Sequence, residues 1–206
     1  RYSKQSQRLI YDNARQGKDM RIRQTFVFLL LVLLPFSGCL DETLEVENET
    51  TGISNPCNEN GSFSALEPRV SEHTLVQEID GEQVTRKYLI QAPTVIDESK
   101  CYPLLFALHG NGGQPGEFVG QYRDVIDAGD FIGIYPEGIE RSWNLGKEAS
   151  TANDTDFIER IVESLQSVAN IDHEKRYVVG VSNGAGMAHK LGIESNQFSA
   201  FVAVVT

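Results

Sequence analysis

The sequence predicts an α/β protein with a mostly parallel sheet and an antiparallel hairpin on its amino-terminal side. Three observations carry this. Short continuous apolar runs recur, as expected of strands covered on both faces. Helical patterns alternate with those runs. Asp80-Gly81 stands between two β-prone segments, which is a strong hairpin signal.

Taken in chain order, Thr74–Ile79 and Val84–Ile90 are the two arms of the hairpin. Pro103–Leu108 (PLLFAL) reads as the first buried strand. A short helix is expected over Glu117–Ala128, then a strand at Phe131–Tyr135 (FIGIY). Phe157, Ile158, Ile161, Val162, Leu165 and Val168 share one face at helical spacing, with Glu159, Arg160 and Glu163 opposite. Asn153 or Asp154 can cap that helix, since either side chain can accept from the first free N–H groups. Arg176–Val181 (RYVVGV) is the next strand, Gly184–Glu194 a helix, and Phe201–Val205 a last strand. In parallel sheets, ligand sites collect beyond the carboxyl ends of the strands. The segments after Leu108, Tyr135 and Val181 are therefore where chemistry is expected.

Composition narrows the function. The chain has 206 residues, 40% hydrophobic and 23% charged, so wholesale disorder is excluded. Lys and Arg number 18 against 29 Asp and Glu, a net charge of −11, which argues against binding nucleic acid. Three cysteines are too few for a disulfide scaffold. The first 38 residues hold 7 of the basic and 2 of the acidic residues, which leaves −16 on the remainder.

Residues 1–38 read as upstream sequence and a signal peptide, with Met20 the expected start. Arg21 and Arg23 precede an apolar run of 11 residues, Phe26–Phe36, which is short for a membrane span and right for an export signal. Phe36-Ser37-Gly38-Cys39 resembles a bacterial lipobox, with Phe where Leu is usual. It implies cleavage before Cys39 and lipidation there. The expected product is an exported lipoprotein, periplasmic or on the cell surface, joined to the membrane through Cys39. Residues 39–65 form an acidic linker and 66–206 the folded domain. Export would put Cys57 and Cys101 in an oxidising space, where pairing is possible and would stabilise by roughly 4 kcal/mol.

The chemical motif is Gly180-Val181-Ser182-Asn183-Gly184, a G-x-S-x-G sequence between a predicted strand and a predicted helix. A serine hydroxyl is a weak nucleophile unless held exposed beside a base. A sharp turn supplies the exposure, and flanking glycines remove side chains that would collide. Ser182 is the candidate nucleophile. His109-Gly110-Asn111-Gly112-Gly113 follows the strand PLLFAL. Such a glycine-rich loop can aim one backbone N–H at a developing oxyanion, and the residue after the nucleophile supplies the other. The assignment is Asn111 and Asn183, with Gly112 a close rival to Asn111. The loop lacks the Lys and Ser/Thr of a phosphate-binding loop.

LLFALHGNGG, FIGIYPEGI, SWNLG, DTDFIERIV and IDHEKRYVVGVSNGAGMAHKLG occur in that order. Together they resemble the secreted polyhydroxybutyrate depolymerase-like and feruloyl or acetylxylan esterase group of α/β-hydrolases, over roughly residues 70–206. The resemblance implies an α/β-hydrolase fold, ester hydrolysis through an acyl-enzyme, a Ser-Asp-His triad and no metal or other cofactor. It implies Ser182 as nucleophile and Trp143-Asn144 beside the pocket; His109, Gly110 and Gly112 of the glycine loop are further substrate-side candidates, although His109 could equally shape the turn of that loop. Trp143 could equally be a packing aromatic. The substrate class would be feruloyl or acetyl esters of plant-wall polysaccharide, or a polyhydroxyalkanoate polyester. A peptidase or acyltransferase on the same fold, and a non-catalytic surface lipoprotein that binds carbohydrate or polymer, are the other readings.

The triad order in this fold is Ser, Asp or Glu, then His. None of His73, His109, His173 and His189 fits the base: His189 lies seven residues along the helix from Ser182, about 10 Å away, and His173 falls before its strand. The expectation is a chain cut short after the sixth strand, inactive alone, whose Asp and His lie beyond Thr206.

Overall fold

The computed structural model describes Cys57 and residues 64–205. The export signal, Met20, the lipidation site Cys39 and the linker up to residue 63, Cys57 apart, lie outside the described residues. Cys57 and Cys101 are joined by a disulfide, with their Cα atoms 5.8 Å apart.

Six strands form one sheet. β1 (Arg69–Ile79) and β2 (Glu82–Ala92) are the hairpin, followed by β3 (Tyr102–Leu108), β4 (Ile132–Pro136), β5 (Ile171–Val181) and β6 (Ala200–Val204). Their order in the sheet is β1-β2-β4-β3-β5-β6. β2 runs antiparallel to both β1 and β4, and the other neighbours are parallel. The hairpin turns in two residues. Asp80 and Gly81 both have positive φ, 53° and 84°, as a type I′ turn requires.

Among the described residues four helices cover the sheet: α1 (Glu117–Gln121), α2 (Arg123–Asp127), α3 (Asp154–Ser164) and α4 (Asn183–Glu194). The side-chain alternation of β3 shows how. Leu104, Phe106 and Leu108 face a cluster with Phe157, Ile158, Ile161 and Val162 of α3 and Met187, Ala188 and Leu191 of α4. Leu105 and Ala107 face Phe118 of α1 and Ile126 of α2, with Tyr122 between those helices. The chain leaves β3 over one face to reach β4, then crosses the other face to reach β5. Neighbouring connections thus part at the carboxyl end of β3, the place where ligand sites collect in such sheets.

Several boundaries differ from the sequence expectation. The first hairpin arm starts five residues early and the second is two residues longer at each end, because cross-strand pairing runs unbroken from Arg69↔Ala92 to Ile79↔Glu82. The single helix expected over Glu117–Ala128 is two, broken at Tyr122, whose φ of −103° is not helical. β5 starts five residues early, at Ile171, so His173 lies within the strand rather than before it. A register shift against β3 between Tyr102 and Leu104 accommodates the extra length. Asn153, not Asp154, caps α3, accepting from the Asp156 N–H.

Asp154 has a different task. It is fully buried and ion-paired to Arg86 of β2 at 2.7 Å, and Arg86 is only 1% exposed. The guanidinium also donates to Gln77 Oε1 at 2.6 Å and to the Glu137 carbonyl at 3.1 Å. It lies 4.0 Å from the Phe157 ring centre. The second Asp154 oxygen accepts from the Asn144 N–H at 2.7 Å. Burial alone makes the Arg86 cation harder to keep charged, and Asp154 opposes that effect. One pair therefore ties the hairpin, the end of β4, the start of α3 and the loop before it. A buried charge left without its partner is costly. Arg86→Ala is expected to destabilise the fold by about 3–5 kcal/mol in urea denaturation. The R86M/D154L double variant, which removes both charges, is expected to lose less.

Candidate active site

Three carboxyl-end segments meet at the candidate site: the loop after β3, the turn after β4, and the join of β5 to α4. At that join Ser182 has φ 53° and ψ −115°, a conformation rare for a residue with a side chain, and it is exposed. Its N–H donates to the Val204 carbonyl of β6 at 2.9 Å, which fixes the bend to the neighbouring strand. Its carbonyl receives the N–H groups of Ala185 and Gly186, the start of α4.

The flanking glycines are sterically required. A Cβ on Gly180 would overlap the Gly184 carbonyl, and one on Gly184 would overlap the carbonyls of Leu108 and His109. α4 therefore begins directly against the end of β3, with backbone on backbone. A Cβ on Gly110 would lie 3.4 Å from Ser182 Cβ, so the loop after β3 sits beside the serine.

Two backbone donors of these segments are uncommitted. Among the described residues the Asn111 N–H has no acceptor. The Asn183 N–H opens α4 and so lacks an intrahelical acceptor. The rival donor, Gly112 N–H, is occupied, bonding the Arg141 carbonyl at 2.8 Å. Arg141 Nε in turn donates to the Gly113 carbonyl at 3.2 Å. This clamp belongs to the short 3-10 turn Ile139–Arg141, where Glu140 and Arg141 both have positive φ. Gly138 enters the turn where a Cβ would strike the Ser142 backbone.

The residues expected on the substrate side are placed differently from one another. His109 is 1% exposed. Gly138 N–H donates to its Nε2 at 3.0 Å, and its Nδ1 bonds the Gly110 carbonyl at 2.8 Å. That pattern requires the neutral ring with its proton on Nδ1. Burial pushes its pKa down, with Arg141 adding to the effect and Glu117 and Glu137 opposing it. Trp143 is wholly buried, its indole N–H donating to the His109 carbonyl at 2.8 Å and its ring tilted over His109 at 4.9 Å. Both side chains therefore support the candidate site from beneath. Asn144 is half-buried and holds its own loop, donating to the Ala152 carbonyl and accepting from the Gly146 N–H. Gly110 and Gly112 form the lining backbone.

Arg86 was not singled out by sequence reasoning, Asp154 only as a candidate helix cap, and Ser142 and Arg141 not at all. The rule about strand ends pointed to the segment after β4, but nothing in its pattern marked these side chains. No described histidine hydrogen-bonds the Ser182 hydroxyl. His73 bonds Ser71 on β1, His173 lies within β5, and His189 is exposed on α4. Among the described residues no group of three His, Cys, Asp or Glu is placed to hold a metal.

A doubly covered sheet with a strained serine at the β5–α4 bend, facing a glycine loop from β3, defines the α/β-hydrolase fold. No protein-family model matches the chain. Its sequence is 32% identical over 124 residues to a probable feruloyl esterase C of Aspergillus terreus, covering 56% of this chain and 43% of that one. Among solved structures it superposes on a poly(3-hydroxybutyrate) depolymerase from Bordetella parapertussis with a TM-score of 0.54 at 15% identity, covering 66% of this chain and 52% of the other. It superposes on a ferulic acid esterase with a TM-score of 0.51 at 23% identity, covering 66% and 56%. The chain spans less than half the length of the feruloyl esterase it matches in sequence.

Because His109 is held neutral, acid works against the fold. Its folded pKa lies below the unfolded value, so its contribution is complete above about pH 6.5 and declines as pH falls through that range. Urea denaturation between pH 7.5 and 5 should show stability falling with pH, as His109 takes up its proton more readily in the unfolded chain than in the fold. H109Q should lack that part of the slope.

Proposed function

We propose that this chain carries the nucleophile of a serine esterase that works through an acyl-enzyme. The observation that supports it is the exposed Ser182, bent out beside a glycine loop, with two unused N–H groups nearby. Ser182 Oγ attacks the acyl carbon of an ester and gives up its proton to a base. Charge on the carbonyl oxygen is met by the N–H groups of Asn111 and Asn183. The C–O bond to the alcohol then breaks, the alcohol leaves protonated, and water attacks the acyl-serine to return the acid. The base and its carboxylate partner are a His and an Asp that do not lie among the described residues. His109 cannot take the proton without opposing the Gly138 N–H.

The substrate class is an ester on a large, insoluble or polymeric carrier: feruloyl or acetyl groups on plant-wall polysaccharide, or a polyhydroxyalkanoate. Likeness to the feruloyl esterase supports the first. An exported lipoprotein tethered through Cys39 suits such a substrate, since polymers cannot enter the cell. The disulfide between Cys57 and Cys101 agrees with an oxidising compartment.

The protein produced from its own gene should hydrolyse at least one of a panel of feruloyl, acetyl and 3-hydroxybutyrate esters. Ser182→Ala should lower kcat by about 10⁴-fold or more. Hydrolysis of peptides but not esters would favour the peptidase reading, and no turnover of any acyl substrate would leave a binding protein.

A further inference from the structure

We propose that the Asn183 side chain, apart from its backbone N–H, is a positioning residue that locks the segment Ser142–Glu148 onto the nucleophile bend. The proposal rests on the reading of Ser182 as nucleophile. Asn183 Oδ1 accepts from the Trp143 N–H at 2.7 Å and from the Ser142 hydroxyl at 3.4 Å. Its Nδ2 donates to the Trp143 carbonyl at 3.1 Å and to Glu148 Oε1 at 3.5 Å. The carboxamide thus grips both backbone groups of one residue, as a neighbouring strand would. Trp143 passes the constraint on, since its indole bonds the His109 carbonyl at the head of the loop bearing Asn111. The bend and the glycine loop are joined through this one amide as well as through the backbone contact at Gly184.

Glu148 completes the device. Its second oxygen, Oε2, accepts from the N–H groups of Leu145 and Lys147, at 2.6 and 3.1 Å, which closes the Leu145–Glu148 turn. Those bonds hold its carboxyl below the usual range, so it stays charged. Leu145, closed into this turn, rests where any side chain on Gly186 would be, within one helical turn of Ser182. An amide donor facing a carbonyl and a carboxylate is the only arrangement of Asn183 that satisfies all four partners. An oxygen in place of Nδ2 would face both acceptors.

The experiment compares wild type, N183A, N183D, E148Q and N183D/E148Q. The readouts are the second-order rate of labelling by a fluorophosphonate, steady-state kcat and KM on the best ester, and emission of Trp143, the sole tryptophan of the sequence. N183D should slow labelling and lower kcat by about tenfold, the worth of one lost bond of this kind, with KM within about twofold. E148Q alone should change them less. Added to N183D it should restore about threefold or more, because one of the two opposed acceptors then carries a donor. Trp143 emission should shift to the red and become more open to acrylamide in N183A and N183D. If N183A does not fold, N183D and its E148Q partner decide. Labelling rates within twofold of wild type with unchanged Trp143 emission would overturn the proposal, as would additive effects of N183D and E148Q. If wild type is not labelled at all, the nucleophile reading fails, and Trp143 emission still tests whether Asn183 holds the loop.

Discussion

The site depends on how closely α4 approaches the ends of β3 and β5. Gly180 and Gly184 leave no room for a single extra carbon, because carbonyl oxygens occupy it. That contact does two things at once. It forces the chain to reverse within one residue, which leaves Ser182 at positive φ with its hydroxyl outside. It also sets the first N–H groups of α4 against the loop that follows β3. Strain at Ser182 persists because the surroundings over-determine it: the Val204 carbonyl holds its N–H and the helix holds its carbonyl.

A second set of forces brings the segment after β4 into register with that bend. The buried Arg86–Asp154 pair anchors the Asn144 N–H. Trp143, next in the chain, is bonded to both Asn183 and His109. The neutral His109 ring then spans from Gly110 to Gly138. The path runs from a charged pair deep in the core to the backbone beside Ser182, and five of its eight residues are buried. Polar groups kept in such a place define one geometry, since any other would leave a buried donor or acceptor without a partner.

Much of this was legible in the sequence, and the reasons are local. A five-residue motif with glycines at fixed offsets encodes a steric requirement that does not depend on distant contacts, so Ser182 and its bend could be placed. Continuous apolar runs marked β3 and β4, because burial on both faces removes alternation. What could not be read depends on long-range pairing. Arg86 looks like any polar residue on a hairpin, and only the fold reveals that Asp154 meets it. Asp154 itself resembled a helix cap, a role that Asn153 fills one residue earlier. The break at Tyr122 escaped notice because helical periodicity continues across it. Trp143 and His109 left two roles open in the sequence, substrate wall or internal support, and their burial is that of internal support. The bond from the Gly112 N–H to the Arg141 carbonyl is likewise contained in no spacing rule.

The central claim is that the Ser182 oxygen forms a covalent bond with an electrophilic acyl or phosphonyl centre. Intact-mass and peptide mass spectrometry after treatment with a fluorophosphonate tests it most directly. The account predicts a single adduct on the peptide containing Ser182, absent from Ser182→Ala and from protein unfolded in urea before treatment. An adduct on another residue, or none on the folded protein that turns over its ester, would contradict it.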